Sequence, residues 1–174
     1  MIIRLTYEGS GKIVDNSLEL NENIPNVVLK HSNSIIRAAF TYVKNISDAE
    51  DIAQNTFLSY MFQKHDFESE EHEKAWLIRV AINKSKNFLK TAWLKNRRQL
   101  TEDLSYLSKE ENDVLKAVLA LDKKYRLPIH LHYYEGYSIK EIADILQAKP
   151  STIGTWLARG RKVLKLRLGG FDNE

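Results

Sequence analysis

The feature that most constrains this 174-residue sequence is a pair of helix patterns near its C-terminus, separated by a short break. The apolar residues of the first pattern recur at three- and four-residue spacing: Ile139, Ile142, Ala143 and Leu146. That spacing predicts an amphipathic helix with one buried face. Ser138 and Glu141 have the spacing of a capping box, which predicts where this helix begins. The region is therefore predicted to pack as helix on helix.

The break between the two patterns is Gln147-Ala-Lys-Pro150, because proline disfavours helix at the residue before it. The second helix is predicted to start from a cap at Ser151 or Thr152 and to end near Leu166. Its inward-facing residues are Ile153, Leu157, Val163 and Leu164. If Gln147 needs a positive φ in the turn, it costs roughly 1 kcal/mol there. A short helix, a turn and a basic second helix predict a helix-turn-helix that fits the major groove of DNA; an ordinary helical hairpin is the alternative.

Helical spacing of apolar residues also covers most of the chain from Asn26 onward. Residues 66–73 lack that spacing and are predicted to form a loop, which a helix over about 74–94 follows. The apolar side of that helix is predicted to hold Trp76, Leu77, Val80, Ala81 and Phe88. Ser47 and Glu50 have the spacing of another capping box. We therefore predict an all-α fold.

The chain is predicted to contain two helical domains joined by a linker. Residues 96–111 are polar, lack a sustained period and change from basic to acidic, as a linker does. The predicted division is an N-terminal extension at 1–25, a first helical domain at 26–95, the linker at 96–111, a second helical domain with the helix-turn-helix at 112–168, and a tail at 169–174. Ile3, Leu5 and Tyr7 alternate beside a glycine-containing stretch, so the extension is either a short β-hairpin or an arm.

Charge is concentrated in blocks, although the formal net charge is only +3. Residues 76–100 contain seven Lys or Arg and no acidic residue. Residues 123–174 contain ten basic and five acidic residues. Two basic blocks separated by acidic stretches favour two surfaces that bind a polyanion; solvated helix faces are the alternative. The chain has no cysteine, which excludes disulfides and thiolate zinc sites. It also lacks a signal-peptide pattern and an apolar run near the roughly 18–20 residues of a membrane span, so we expect it in the cytoplasm.

The sequence gives little support to catalytic chemistry. His130 and His132 are two residues apart, so on a helix they point in different directions and form a poor metal pair. The chain lacks a phosphate-cradling glycine loop and a serine or cysteine nucleophile motif. We therefore expect a protein that is not an enzyme, with no catalytic residue, no metal and no cofactor.

The segment Ser47-Asp-Ala-Glu-Asp-Ile-Ala-Gln-Asn-Thr-Phe-Leu58 places carboxylates at the start of a predicted helix, where they complement the helix dipole. It resembles the DAEDxxQExF segment of the extracytoplasmic-function (ECF) group of bacterial sigma factors. In that family the segment docks on the clamp helices of the polymerase β′ subunit. The resemblance implies a polymerase-binding set of Asp48, Glu50, Asp51, Gln54 and Asn55.

A second segment consists of Phe67, eight intervening residues and Trp76-Leu-Ile-Arg-Val-Ala-Ile-Asn83. It resembles the family's FxxWLxRIAxN segment, which melts and captures the minus-ten promoter element. The amide of Asn83 suits the edge of an unstacked base, and the resemblance implies that it sits in a pocket for one; an exposed helical asparagine is the alternative. Phe67 and Trp76 are either core or loop anchors, which we favour, or stacking platforms. The implied minus-ten set is Arg79, Asn83, Lys84, Lys86, Asn87 and Lys90.

The C-terminal pair is similar to the family's reader of the minus-thirty-five element, over Tyr133-Tyr-Glu-Gly-Tyr-Ser-Ile-Lys-Glu-Ile-Ala143 and Thr152-Ile-Gly-Thr-Trp-Leu-Ala-Arg-Gly-Arg161. Early residues of the second helix would meet base edges, and later basic residues would meet phosphates. The implied set is Ser151, Thr152, Gly154, Thr155, Ala158, Arg159, Arg161 and Lys162. Gly154 and Trp156 stand where the family commonly has basic residues, so its sequence preference is not carried over to this chain.

Together these resemblances imply an ECF-type sigma factor that directs promoter-specific transcription initiation. The implied partners are core RNA polymerase, through its β′ clamp helices and β subunit, promoter DNA, and an anti-sigma factor, without membrane insertion. Two other classes stay open: a helix-turn-helix regulator that binds operators without polymerase, and an interaction protein that titrates polymerase or an inhibitor. Residues 1–25 have no counterpart in the motifs, and we expect them to modulate polymerase or inhibitor binding.

Overall fold

The computed structural model describes residues 23–62, 66–94 and 109–168, and every regular element in these ranges is a helix. The predicted all-α fold is thereby confirmed. The helices are α1 (Ile24–Val43), α2 (Ile46–Met61), α3 (Glu70–Leu94), α4 (Lys109–Leu119), α5 (Lys123–Tyr133), α6 (Ile139–Leu146) and α7 (Pro150–Arg167). The predicted hairpin or arm, most of the predicted linker and the tail lie outside the described residues. None of the helices in these ranges is both long and apolar enough to cross a bilayer.

Helices α1, α2 and α3 pack against one another as an N-terminal bundle. Its centre contains the fully buried side chains of Ile35, Leu77 and Ile78. Helix α1 begins two residues before the predicted start at Asn26, because a proline is tolerated in the first turn of a helix, where its missing amide has no intrahelical partner.

The predicted capping box at Ser47 is wrong. Asn45 is the N-cap of α2, and its side-chain oxygen accepts the amide of Asp48 at 3.0 Å. Ser47 therefore lies inside the first turn. Asparagine and serine are comparable N-caps, so the sequence alone did not separate two candidates that are two residues apart.

The loop predicted at 66–73 is shorter than expected, because α3 already begins at Glu70. The hydroxyl of Ser69 accepts the amide of His72 at 3.1 Å and caps this end. Three glutamates fill the first turn of α3, where negative charge complements the helix dipole.

The buried side of α3 also differs from the prediction. It includes Ile78, Ile82 and Ser85, whereas Phe88 is 36% exposed. Both α1 and α2 pack on α3, so its buried stripe is wider and rotated relative to the predicted one. Past Ser85 most described side chains of α3 are exposed. The basic part of the helix is therefore available to a partner.

In the C-terminal bundle, α5 and α6 both pack on α7, the second helix of the helix-turn-helix. The capping box of Ser138 and Glu141 is present in both directions, as predicted. Gln147 ends α6 in the left-handed region, with φ 53° and ψ 49°. The predicted cap at Ser151 or Thr152 is wrong, because α7 begins at Pro150 after Lys149, which makes no side-chain cap.

The two bundles also contact each other, α1 against α5 and α3 against α6. Nothing in the amphipathic patterns predicted this contact. Several of its bridges are polar hydrogen bonds, and such partners leave no stripe of apolar residues in the sequence.

Candidate polymerase and nucleic-acid interfaces

The exposed face of α2 gathers most of the predicted polymerase-binding residues. Asp51, Gln54 and Asn55 are exposed and lie on one side of the helix, and Glu50 is exposed at its edge. Asp48 is half-buried, with its backbone amide bound by the N-cap. The carboxylates and amides form a continuous polar surface open to a partner.

Two apolar residues on this same face were missed by the sequence analysis. Leu58 is 47% exposed and Phe62 is 57% exposed. They follow Gln54 and Asn55 at helical spacing, so the face continues from polar to apolar along α2. The signal was present in the sequence as large apolar residues outside the buried stripe. A partner that covered this face would bury apolar surface as well as polar groups, which favours association.

The basic face of α3 brings together five of the six residues in the predicted minus-ten set. Asn83, Lys86, Asn87 and Lys90 are exposed. Arg79 lies on the same side but is half-buried, and its guanidinium donates to the carbonyl of Asp144 at 2.7 Å. Lys84 is half-buried and points about 100° away from Asn83, because successive helical residues rotate by that angle.

Phe67 and Trp76 belong to an aromatic cluster with Tyr60. The rings of Phe67 and Tyr60 are stacked at 6.1 Å, and Trp76 lies 5.9 Å from Phe67 and 6.2 Å from Tyr60. The hydroxyl of Tyr60 donates to Glu73 at 2.5 Å. These contacts favour the interpretation of Phe67 and Trp76 as anchors that fix the loop before α3.

A cavity of about 370 Å³ lies between the first turns of α1 and α3. It is lined by Asn23, Asn26, Val27, Lys30, Phe67, Ser69, Glu70 and Glu73. Asn83 does not line it, since it lies 13 residues after Glu70, or roughly 20 Å along the helix. The contact between Lys30 and Glu70, at 2.7 Å, raises the pKa of the lysine and lowers that of the glutamate.

On α7, the predicted minus-thirty-five set forms an open surface. Ser151, Thr155, Ala158, Arg159, Arg161 and Lys162 are exposed, and Thr152 and Gly154 are partly buried. The hydroxyl of Thr155 donates to the carbonyl of Ser151 at 2.9 Å, which leaves its oxygen as an acceptor. Apart from its chain neighbours and the backbone of its own helix, nothing lies within 4 Å of a Cβ added at Gly154, so a side chain there would meet open space.

The opposite side of α7 is held close to α5 by a glycine. A Cβ added at Gly160 would lie 3.0 Å from the side chain of Ile129 and 3.3 Å from Cβ of Tyr125. The absence of a side chain therefore sets the spacing of the two helices. Burial of Ile153 and Leu157 fixes the rotation of α7, which turns its basic side outward.

The two histidines of α5 have structural partners. His132 Nδ1 lies 2.8 Å from the carbonyl of Tyr137, and His130 is buried beside Glu135. The described ranges contain no group of three or more His, Cys, Asp or Glu side chains arranged to hold a metal ion.

The geometry defines a helical protein with two bundles, an exposed acidic and amide face on one helix, and two basic helix faces, one of them in a helix-turn-helix. Two family models match the chain at these places. Sigma-70 region 2 matches residues 27–95, and sigma-70 region 4 matches residues 111–164.

Curated relatives lie in the same family. The chain is 28% identical over 151 residues to RNA polymerase sigma factor SigV of Bacillus subtilis, covering 83% of this chain and 90% of that protein. It is 27% identical over 158 residues to ECF RNA polymerase sigma factor SigW of the same organism, covering 79% and 84%. In fold the chain is similar to the sigma factor RpoE of Bartonella quintana, which was solved in complex with the anti-sigma factor NepR. The TM-score is 0.73 at 22% sequence identity, and the match covers 88% of this chain and 100% of RpoE.

The chain belongs to the ECF group of bacterial RNA polymerase sigma factors. Its function is that of the family, promoter-specific initiation of transcription through RNA polymerase and promoter DNA. Sigma factors are not enzymes. These likenesses do not favour the alternatives of an operator-binding regulator or a titrating interaction protein.

Proposed function

We propose that the exposed face of α2 docks this protein on the β′ clamp helices of core polymerase. The observation that carries the proposal is the grouping of Asp51, Gln54 and Asn55 on one exposed side of a helix. Leu58 and Phe62 extend this face and would bury apolar surface in the complex. The C-terminal bundle would contact the β subunit.

The two basic faces divide promoter recognition between them. The α3 face, through Asn83 and the flanking lysines, captures the minus-ten element, because an amide reads a base edge while ammonium groups follow phosphates. The α7 face reads the minus-thirty-five element, with Thr155 near base edges and Arg159 and Lys162 near phosphates. Residues 26–95 and 112–168 are thus the two functional domains, joined by 96–111.

An anti-sigma factor is the proposed regulatory partner. RpoE of Bartonella quintana was solved in complex with NepR, and CnrH in complex with the cytosolic domain of CnrY. The chain works where core polymerase is, so its proposed location is the cytoplasm. Residues 1–25 are proposed to modulate these contacts, and a deletion of residues 1–24 that leaves transcription and partner affinity unchanged would remove that role.

Docking and promoter opening are tested separately. Gln54→Ala combined with Asn55→Ala should weaken binding to core polymerase, measured by fluorescence anisotropy. Asn83→Ala should leave core binding intact and lower open-complex formation, measured by permanganate reactivity of the minus-ten thymines. Thr91→Ala, an exposed change later on the same helix, is the matched control. If Asn83→Ala and Thr91→Ala open the promoter equally well, the proposed role of Asn83 is wrong.

A further inference from the structure

The first half of α7 carries no charged side chain. Residues 150–158 contain no Lys, Arg, His, Asp or Glu, and the nearest cations are Lys149 before the helix and Arg159 after this stretch. These two residues are ten positions apart, or roughly 15 Å along the helix. In a helix-turn-helix the N-terminal part of the second helix is the part that meets base edges. The base-reading part of α7 is therefore neutral, and basic residues flank it.

Three small residues form the outward side of this neutral stretch. Ser151, Thr155 and Ala158 are exposed. They follow one another at spacings of four and three residues, so they share one side of the helix. Ile153 and Leu157 are buried on the other side, where α7 packs on the bundle. The side of α7 that points away from the protein therefore offers small hydroxyl and methyl groups to a partner.

The hydroxyl of Thr155 already has an acceptor inside the helix. It donates to the carbonyl of Ser151 at 2.9 Å, so its single proton is not available to DNA. Guanine itself presents only acceptors in the major groove, N7 and O6, whereas thymine presents a methyl group and one acceptor. Thr155 therefore cannot donate to guanine without breaking its helix hydrogen bond, but its methyl group can pack against that of thymine.

Gly154 lets this part of the helix come close to a partner. A Cβ added there would meet open space, so packing within the bundle does not require a glycine. Its φ is not positive, so backbone conformation does not require one either. Glycine inside a helix is less favourable than alanine, but it allows the backbone to approach a ligand closely. A contact between methyl groups needs such an approach, because it acts only at van der Waals distances.

Two neighbouring side chains are the alternatives for base reading. Trp156 is partly buried and packs against the hydrophobic core, which leaves its ring little freedom to reach a base. Arg159 is exposed and lies about one turn after Thr155, and an arginine in that place pairs either with guanine or with a phosphate. The two roles of Arg159 predict different promoters, since only the first requires guanine.

We propose that Thr155, with the methyl group of Ala158 beside it, selects thymine in the minus-thirty-five element by contact with the thymine methyl group, while Arg159 binds phosphate. This inference rests on the proposed minus-thirty-five role of α7. Alanine and threonine methyl groups are ordinary partners of the thymine methyl in the major groove. Paired hydrogen bonds to adenine or guanine come from Asn, Gln, Arg or Lys, and residues 150–158 contain none of these. The first two turns of α7 should therefore require thymine, in either strand, and no guanine.

The test uses the full chain bound to core polymerase. A promoter is first obtained by mapping the transcript starts that this holoenzyme produces. Each minus-thirty-five thymine is then replaced by deoxyuridine, which removes the methyl group and keeps the base pairing. Thr155→Ser removes the protein methyl group and keeps the hydroxyl. Thr155→Val keeps a methyl group and removes the hydroxyl, so it is the matched control.

We expect deoxyuridine at one position or more to weaken wild-type binding about fourfold, the fold-change that corresponds to about 0.8 kcal/mol for one buried methyl-sized group. Thr155→Ser should lose this sensitivity at one such position, and Thr155→Val should keep it. Binding that does not respond to deoxyuridine at any position overturns the inference. So does an equal response in the wild type and Thr155→Ser, with both folded by circular dichroism.

The role of Arg159 is tested on the same promoter. If 7-deazaguanine, which lacks the N7 acceptor, weakens binding of the wild type but not of Arg159→Ala, then Arg159 reads guanine and the inference is overturned. Gly154→Ala should weaken promoter binding although it stabilises α7, and unchanged or tighter binding overturns the close approach at Gly154. Failure to initiate at any specific site overturns the proposed function and this inference together, whereas specific initiation without sensitivity to the thymine methyl group overturns the inference alone.

Discussion

Replacing Gln147 with glycine should stabilise the C-terminal bundle. Gln147 ends α6 with φ 53° and ψ 49°, a left-handed conformation that crowds any Cβ atom. Its own amide and that of Ala148 donate to the carbonyl of Ala143, and glycine keeps both hydrogen bonds. Its side chain is exposed, so the substitution changes the backbone energy and little else.

The magnitude is a difference of two terms. The left-handed conformation costs a residue with a Cβ roughly 1–2 kcal/mol. Glycine loses more conformational entropy on folding than a residue with a Cβ, and this loss offsets the gain by roughly 0.5–1 kcal/mol. The net stabilisation is therefore roughly 0–1.5 kcal/mol, with a central value of about 0.5–1 kcal/mol. For a small domain this raises the Tm by roughly 2–8 °C.

Urea unfolding, followed by far-UV circular dichroism, measures this change. Gln147→Ala is the control, since it removes the side chain but keeps Cβ, and it should stay within about 0.5 kcal/mol of the wild type. If glycine and alanine at position 147 give the same unfolding midpoint, the left-handed strain assigned to this turn is absent.

Three further predictions concern the packing, capping and charge of the same bundle. Gly160→Leu should destabilise it by roughly 1–3 kcal/mol in urea unfolding, because the new side chain meets α5. Gly154→Ala lies in open space and should stabilise α7 by up to about 1 kcal/mol. Equal unfolding midpoints for the two variants would contradict the close approach at Gly160. Ser138→Ala should cost about 1 kcal/mol through the lost cap, seen as a lower urea midpoint, and an unchanged midpoint would mean that the capping box does not stabilise α6. The stabilisation by Glu135 is fully present above its unfolded pKa of about 4.5 and is lost as the pH falls towards its native pKa of about 2. The Tm difference between the wild type and Glu135→Gln should therefore be largest near neutral pH and shrink in acid. A Tm difference that does not depend on pH would count against ionic stabilisation.

Local rules predicted part of the C-terminal bundle. Apolar spacing correctly placed Ile142 and Ala143 of α6, and Ile153 and Leu157 of α7, in the core. The prediction was wrong for Ile139, which is 40% exposed, and it missed Ile145, which is buried. The capping box at Ser138 was found as predicted, because it depends on neighbours within one turn. The positive φ that the sequence left as a condition at Gln147 is present, in the left-handed conformation that commonly ends a helix.

Errors arose where several caps competed or where tertiary packing decided the outcome. Asn45 rather than Ser47 caps α2, and either residue type suits that position. The exposure of Phe88 depends on where α1 and α2 stop covering α3, which a single helix pattern does not contain. The contact of Glu135 with Lys74 joins residues 61 positions apart through polar atoms, and no periodicity of the sequence reports such a pair.

Promoter-specific transcription in a reconstituted system tests the central claim most directly. Core polymerase from the source bacterium is combined with this protein and a genomic template pool, and the 5′ ends of the transcripts are mapped. A sigma factor of the ECF group should give initiation at defined sites that core polymerase alone does not use, with shared minus-ten and minus-thirty-five sequences upstream. Transcript ends that are the same with and without the protein would contradict the account.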